Sequence, residues 1–256
     1  MSLFPTPDAR PAVVVPLAGA DADAVLAHAR EVAASGADVA EWRLDTWGAH
    51  DGEGALEMLP ALRSALGSLP VLATYRSLAE GGPGGLDDAG YTALLLALVA
   101  ARVEGVDVEL SRPDAVATAI TTAARDAGTV VVGSSHDFAG TPSTDRLGAI
   151  LDSLAARDAD VLKVAVTASD GGDVARLLAA AHTARRHGRP VLPIAMGPAG
   201  VLTRIAGECW GAPATFGLVG TGSAPGQVPV PELRDALDAI HDALTAADGP
   251  VSAVTA

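Results

Sequence analysis

The sequence predicts a (β/α)8 TIM barrel in a single domain spanning residues 1–256, and three observations predict it. Eight apolar runs suited to buried strands recur at intervals of roughly 20 to 35 residues, and stretches with helical periodicity separate them. No linker, low-complexity tract or charge block divides the chain. A length of 256 residues lies between one and two average domains, a range that single α/β barrels routinely occupy.

Residues 1–10 read as a short N-terminal extension, followed by the first strand at 12–17 and a helix at 22–34. The turn between them is Pro16-Leu17-Ala18-Gly19-Ala20, not Gly-x-Gly-x-x-Gly, which argues against a dinucleotide-binding open sheet. The second strand, 38–44, ends Glu41-Trp42-Arg43-Leu44-Asp45. Period-2 alternation points Glu41, Arg43 and Asp45 to one face and Trp42 and Leu44 to the other, toward the helices. The third, 70–75, ends at Thr74 and Arg76, before Ser77-Leu78-Ala79-Glu80-Gly81-Gly82 and a helix at 91–103. The fourth, 105–110, carries Asp107 and Glu109 on one face. The fifth, 129–135, runs into Ser135-His136-Asp137-Phe138 and Thr141-Pro142, a helix-start signal before 146–156. The sixth is 160–166. The seventh, 190–195, exits through Met196 toward Arg204. The eighth, 214–219, leads into Ser223-Ala224-Pro225-Gly226-Gln227, with Pro231 opening a helix at 232–244. In such a barrel the C-terminal ends of the strands build the active site, and here those ends are polar.

Composition narrows the partners. Hydrophobic residues make up 49% of the chain and charged residues 19%, which excludes general disorder. A formal net charge of −14 repels phosphate backbones and anionic lipid, so neither nucleic acid nor a membrane surface is expected as a partner. No apolar run approaches the ~20 residues that span a bilayer, and the first residues lack a basic-then-apolar signal pattern, so a cytoplasmic location is expected. The single cysteine, Cys209, permits neither an internal disulfide nor a cysteine-based zinc site, and is expected to pack as a small hydrophobe.

Of the 17 basic residues, 16 are arginine, and the one lysine is Lys163. Base composition or an acidic surface accounts for missing lysines but not for the one retained. Arginine fails to replace lysine where a deprotonatable primary amine is required. Lys163 stands at the centre of Val161-Leu162-Lys163-Val164-Ala165-Val166, an apolar strand. Burial there disfavours the ammonium and favours the amine that attacks carbonyls to form a Schiff base, the alternative being a structural lysine paired with a carboxylate. His136 lies on the preceding strand, ~4.8 Å away, so both heads reach one substrate carbon. An iminium at Lys163 acidifies the adjacent carbon, and an imidazole is suited to move that proton near neutrality. Elimination, aldol cleavage and isomerisation all fit this pair. Arg204 supplies a fork for a carboxylate, Arg43 and nearby acids can hold hydroxyls, and Gln227 sits on a Gly/Pro-rich loop able to close over a ligand. The implied substrate is a small, polar hydroxy-keto acid.

Taken together, Val-Pro-Leu at 15–17, Glu41-Trp-Arg-Leu-Asp45, Arg76-Ser-Leu-Ala-Glu80-Gly-Gly, Ser134-Ser-His136-Asp-Phe-Ala-Gly-Thr141-Pro142, Lys163, Met196-Gly-Pro-Ala-Gly-Val-Leu-Thr-Arg204 and Ser223-Ala-Pro-Gly-Gln227 resemble type I 3-dehydroquinate dehydratase. The resemblance spans nearly the whole chain. It implies a barrel, commonly homodimeric, that dehydrates 3-dehydroquinate to 3-dehydroshikimate through a lysine Schiff base with neither metal nor nucleotide cofactor. It makes Lys163 the Schiff-base lysine, His136 the proton-transfer group and Glu80 the acid bonded near that histidine. Arg204 becomes the carboxylate anchor, and Glu41, Arg43, Arg76, Ser223 and Gln227 become substrate contacts. Departures are mild: Thr203 stands before Arg204 where serine is usual, Ser135 before His136 where an aromatic is frequent, and Gly222 before Ser223 where alanine is common. The first residues are too short and Pro-rich for the β-hairpin many members place under the barrel, so a thinner floor is expected over 5–10. Two other readings share these features, a class I Schiff-base aldolase and a non-catalytic sensor of shikimate-type ligands. An aldolase would usually bind phosphate, for which no clear glycine-rich nest follows strand seven or eight, and retention of the sole lysine argues against a sensor.

Overall fold

A computed structural model describes residues 3–5, 9–17, 19–47, 52–220 and 226–247. Among them strands and helices alternate as β1 (Ala12–Leu17), α1 (Ala22–Ala34), β2 (Val39–Arg43), α2 (Gly52–Leu66), β3 (Val71–Thr74), α3 (Asp88–Ala100), β4 (Gly105–Glu109) and α4 (Asp114–Ala127). The second half continues β5 (Val130–Asp137), α5 (Thr144–Ala156), β6 (Val161–Thr167), α6 (Gly171–Ala184), β7 (Val191–Met196), α7 (Val201–Ile205), β8 (Ala214–Leu218), β9 (Val228–Pro229) and α8 (Val230–Ala247). None of these helices is long and apolar enough to cross a membrane.

Every ladder is parallel, in the order β7-β6-β5-β4-β3-β2-β1-β8-β9. Because β1 pairs with both β2 and β8, the sheet curls round on itself, and β7 comes to lie beside β8. All eight expected strands form. The ninth, β9, was not expected: it has two residues, one of them proline, and pairs Gly217 with Val228 at the mouth. Gly226, at φ +76°, leads into it so closely that a Cβ would come within 2.7 Å of the Gly197 carbonyl oxygen. The tight approach brings Gln227 against the exit of β7.

Alternation divides the core. Inward side chains at the N-terminal ends of the strands, among them Val14, Val39, Leu72, Val132 and Val161, form an inner apolar cluster. Outward ones, such as Val13, Trp42, Ala73 and Leu162, join the helices in a larger outer layer. Only toward the C-terminal ends does the inner face turn polar. On the floor, the acids just before β2, β4 and β6 each accept an N–H near the start of the preceding strand. Asp38 accepts from Val13 N at 2.7 Å, Glu104 from Val71 N at 2.9 Å and Asp160 from Val131 N at 2.8 Å. Helix starts are capped similarly, with Asp21, Asp87, Ser143 and Asp170 accepting backbone N–H groups. The cap of α5 is thus Ser143, one residue beyond the expected Thr141-Pro142 signal.

One expectation is corrected here. Cys209 is exposed rather than packed, because it sits on a 3-10 turn, Gly207–Trp210, whose neighbours face inward instead. The thinner floor expected over 5–10 rests in part on residues 6–8, which lie outside the described residues, but the residues before them do contribute to the floor. Leu3 and Phe4 are buried in the inner cluster, and a Cβ at Gly105 would meet Leu3 Cδ2 at 2.4 Å. Leu3→Ala is therefore expected to lower the unfolding free energy by about 2–5 kcal/mol in urea titration, the range for truncating a buried leucine. A value equal to that of the parent would remove Leu3 from the core.

Candidate active site

Lys163 projects from the middle of β6 into the barrel and is 4% exposed. Its Nζ donates to Asp107 Oδ2 at 3.3 Å, lies 3.8 Å from Glu41 Oε1, and stands 4.8 Å from the centre of the Phe216 ring. The two carboxylates counter the cost of burying an ammonium. Burial alone would raise the Asp107 carboxyl, but Arg76, Lys163 and the Ser134 hydroxyl together hold it below the ordinary carboxylate range.

Arg76 is the hub of the mouth. Its guanidinium meets Asp107 at 2.9 Å, Glu109 at 3.0 Å and Glu80 at 3.4 Å, and Nη1 also donates to Ser134 Oγ at 3.0 Å. Burial opposes its charge, yet the surrounding carboxylates outweigh burial and raise its pKa. Glu109 accepts from Ser77 N at 2.8 Å, anchoring the 3-10 turn Leu78–Glu80 that delivers Glu80 to the site. Glu80 Oε2 then lies 2.8 Å from His136 Nδ1, and its Oε1 accepts from Ser111 N at 3.1 Å.

Seven of the residues singled out in the sequence, Glu41, Arg43, Arg76, His136, Lys163, Arg204 and Gln227, line one cavity of about 150 Å³. Glu80 stands behind His136 and lines an outer groove that His136 also reaches. Ser223 lies outside the described residues. Arg43 is locked by Asp45, with Nε to Oδ1 at 3.0 Å and Nη2 to Oδ2 at 2.6 Å. Arg204 is 2% exposed and donates from Nη1 to the Phe216 carbonyl at 3.4 Å; burial draws its pKa down to about 10, which leaves it cationic at neutrality. Among the described residues no group of three or more His, Cys, Asp or Glu is placed to hold a metal ion. Two residues belong to the site that the sequence did not single out. Asp107 was visible only as a polar residue sharing one face of β4 with Glu109, and Phe216 only as a member of the apolar run at 214–219.

The arrangement offers an amine, an imidazole and a carboxylate-binding fork around one small cavity, a set suited to covalent chemistry at the carbonyl of a hydroxy acid. The family model described as type I 3-dehydroquinase matches residues 13–243. The 3-dehydroquinate dehydratase of Bacillus subtilis is 34% identical over 235 residues, 90% of this chain and 92% of that protein. That of Klebsiella pneumoniae (MGH 78578) is 36% identical over 230 residues, 88% and 92% of the two chains. A type I 3-dehydroquinate dehydratase structure from Clostridium difficile, carrying covalently modified comenic acid, superposes with a TM-score of 0.87 at 32% identity, covering 91% of this chain and 94% of that one.

The Glu80–His136 pair sets a pH dependence. Burial, opposed by Arg76 and assisted by Glu109, pushes Glu80 up to about 7. Burial and then the positive charges of Arg76, Lys163 and Arg43 hold His136 well below the ordinary imidazole value, so its ring is neutral at pH 7. Ionised Glu80 accepts Nδ1–H and leaves Nε2 as the base. Protonated Glu80 donates to Nδ1 and puts the proton on Nε2, where it blocks base action. The rate constant kcat/KM is therefore expected to rise with pH through about 7 in the free enzyme. In Glu80→Gln, the amide oxygen accepts Nδ1–H at every pH, so this acid-side fall should disappear. A pH profile with the fall intact in that variant would assign it to another group.

Proposed function

The chain belongs to the type I 3-dehydroquinase family, and from that membership we infer that it dehydrates 3-dehydroquinate to 3-dehydroshikimate in the shikimate pathway, with Lys163 as its Schiff-base residue. The observation that carries the residue assignment is the placement of the only lysine, buried on β6 in one cavity with His136.

In this reading Lys163 Nζ attacks the C3 ketone, and loss of water leaves an iminium. The iminium draws electrons from the C2–H bond, His136 takes the C2 proton, and the C1 hydroxyl departs as the C1–C2 double bond forms, receiving its proton from His136. Hydrolysis then frees the conjugated enone and the amine. Glu80 holds the imidazole in the tautomer that accepts at Nε2. Arg204 takes the substrate carboxylate, and Glu41, Arg43, Ser223 and Gln227 contact ring hydroxyls. Arg76 lines the same cavity, but its guanidinium is already committed to three carboxylates, so its substrate contact is secondary to holding them. A cytoplasmic homodimer is the form we attach to this reading by resemblance, and light scattering of the purified protein tests the assembly.

Incubation with 3-dehydroquinate should produce the ultraviolet absorption of a conjugated enone. Borohydride added during turnover should inactivate the enzyme and leave one ligand mass on Lys163, and Lys163→Arg should keep the charge but lose turnover, since a guanidinium forms no imine. Labelling at another site, or none in an active enzyme, overturns the assignment. Arg204→Ala is expected to lose most of the preference for 3-dehydroquinate over an analogue lacking the carboxylate, because the discriminated group has lost its partner. Comparing kcat/KM for the two ligands checks this, and unchanged discrimination would move the anchor to Arg43 or Arg76.

A further inference from the structure

Asp107 is fully buried, and the two oxygens of its carboxylate have separate partners. Oδ1 receives Ser134 Oγ at 2.5 Å and Arg76 Nη2 at 2.9 Å, while Oδ2 faces Lys163 Nζ at 3.3 Å. The two contacts on Oδ1 fix the plane of the group, so Oδ2 has little freedom to leave the amine. The reach is also specific. β4 and β6 are separated by β5, two strand spacings or ~9.6 Å, and the β5 residue in register with Lys163 is the small Ser134. A larger side chain there would stand between the acid and the amine.

We propose that Asp107 is a further catalytic residue, the fixed counter-ion that holds the Lys163 nitrogen in every cationic state it passes through. The proposal rests on the Schiff-base reading above and deepens it. In that chemistry an ammonium and a ketone become an iminium and water. The ammonium gives one proton, by way of His136, to the carbonyl oxygen as the nitrogen lone pair attacks carbon and the π pair moves to oxygen. The product is a carbinolamine whose nitrogen carries two protons and a positive charge. A second proton then passes from nitrogen to the hydroxyl, the C–O bond breaks to release water, and the nitrogen pair closes the C=N bond. Nitrogen begins with three protons and ends with one, and the two it loses leave in the water. It is cationic as ammonium, as carbinolamine and as iminium, and the neutral amine exists only in passing. A permanent anion beside it therefore favours all the stages that accumulate. Had Asp107 been oriented by Lys163 alone, it would be free to swing as the nitrogen moved to carbon; Arg76 and Ser134 prevent that.

The other groups facing Nζ do not duplicate this role. Glu41 on β2 is more distant at 3.8 Å and accepts from Thr74 Oγ1 at 3.0 Å, and Phe216 on β8 offers only a ring face. Arg43, Arg76, His136 and Arg204, which line the same cavity, are cations or a neutral imidazole.

Because the chain holds one lysine, enzyme made with 15Nζ-labelled lysine has a single side-chain amine nitrogen, which NMR follows through a pH titration. Asp107→Asn removes the charge while keeping an oxygen for Ser134. Its ammonium is expected to titrate about one pH unit or more below that of the wild type, as loss of a close anion dictates. The same variant should yield several-fold less borohydride-trapped adduct with 3-dehydroquinate at neutral pH. Glu109→Gln removes a carboxylate from the same guanidinium without touching Nζ, and should leave the titration in place. Coincident titrations of wild type and Asp107→Asn, or equal shifts in both variants, overturn the proposal. If Asp107→Asn does not fold, Ser134→Ala takes its place: withdrawing a hydrogen bond from Oδ1 concentrates charge on the carboxylate and should move the titration upward, and no movement overturns the proposal. Failure of wild type to trap any adduct on Lys163 would overturn the Schiff-base reading itself, and the iminium half of this proposal with it.

Discussion

The guanidinium of Arg76 is the interaction on which the mouth of the barrel depends. Asp107 and Glu109 are fully buried and Glu80 is nearly so, and three carboxylates this close would not all ionise without a cation among them. Desolvation costs several kcal/mol for each such ion, and only close, multiply bonded partners offset it. Arginine suits the place because its planar fork presents five donors in fixed directions, enough to serve three acids and a hydroxyl at once. Each acid then has a separate task. Asp107 faces the amine, Glu109 anchors the turn at Ser77, and Glu80 orients the imidazole.

The outcome is an electrical division of one small cavity. Lys163 is met by Asp107 and Glu41, whereas His136, bonded to Glu80, is desolvated and lies in the positive field of Arg76, Lys163 and Arg43, although the lysine and the histidine lie on adjacent strands. The division follows from topology. Acids come inward from β2 and β4, while the histidine stands at the rim of β5, two residues beyond the register position of the lysine. That small offset puts the imidazole above the carboxylates that hold the amine. A base that is neutral before reaction and a nitrogen that is readily cationic can then coexist, which a uniform local potential would not permit.

Much of this was legible in the sequence because the barrel obeys two simple periods. Buried parallel strands are apolar almost throughout, so each stood out, and period-2 alternation placed Glu41, Arg43 and Asp45 on the inner face. Lys163 was legible for a different reason: it broke a compositional rule. Asp107 was not, since a carboxylate on an inward face looks the same whether it serves a neighbouring arginine or a lysine two strands away. The resemblance made Arg76 a substrate contact, and its position on the cavity wall is compatible with that, but its three carboxylate partners come from a 3-10 turn and from β4 and were legible only once located in space. β9 escaped because two residues carry no periodicity, and Leu3 and Phe4 because nothing local distinguishes a tethered plug from a loose end. Cys209 was misjudged from the usual burial of thiols, which a turn on the surface overrode.

The two decisive cations show why a chain that otherwise replaced lysine with arginine stopped at one position. At 76 the requirement is a charge that persists when buried and reaches several acids together, and an ammonium lacks both the fork and the resistance to deprotonation. At 163 the requirement is reversed. The group has to lose protons, become a nucleophile and re-form a cation on the same nitrogen, and a guanidinium does none of these under the conditions of a folded protein. The neighbours of each are arranged accordingly: three acids and a hydroxyl saturate Arg76, whereas Lys163 keeps one close acid and opens on the cavity. Exchange of the two residues would therefore preserve net charge while removing both functions, since the site depends on which cation can release its proton and which cannot.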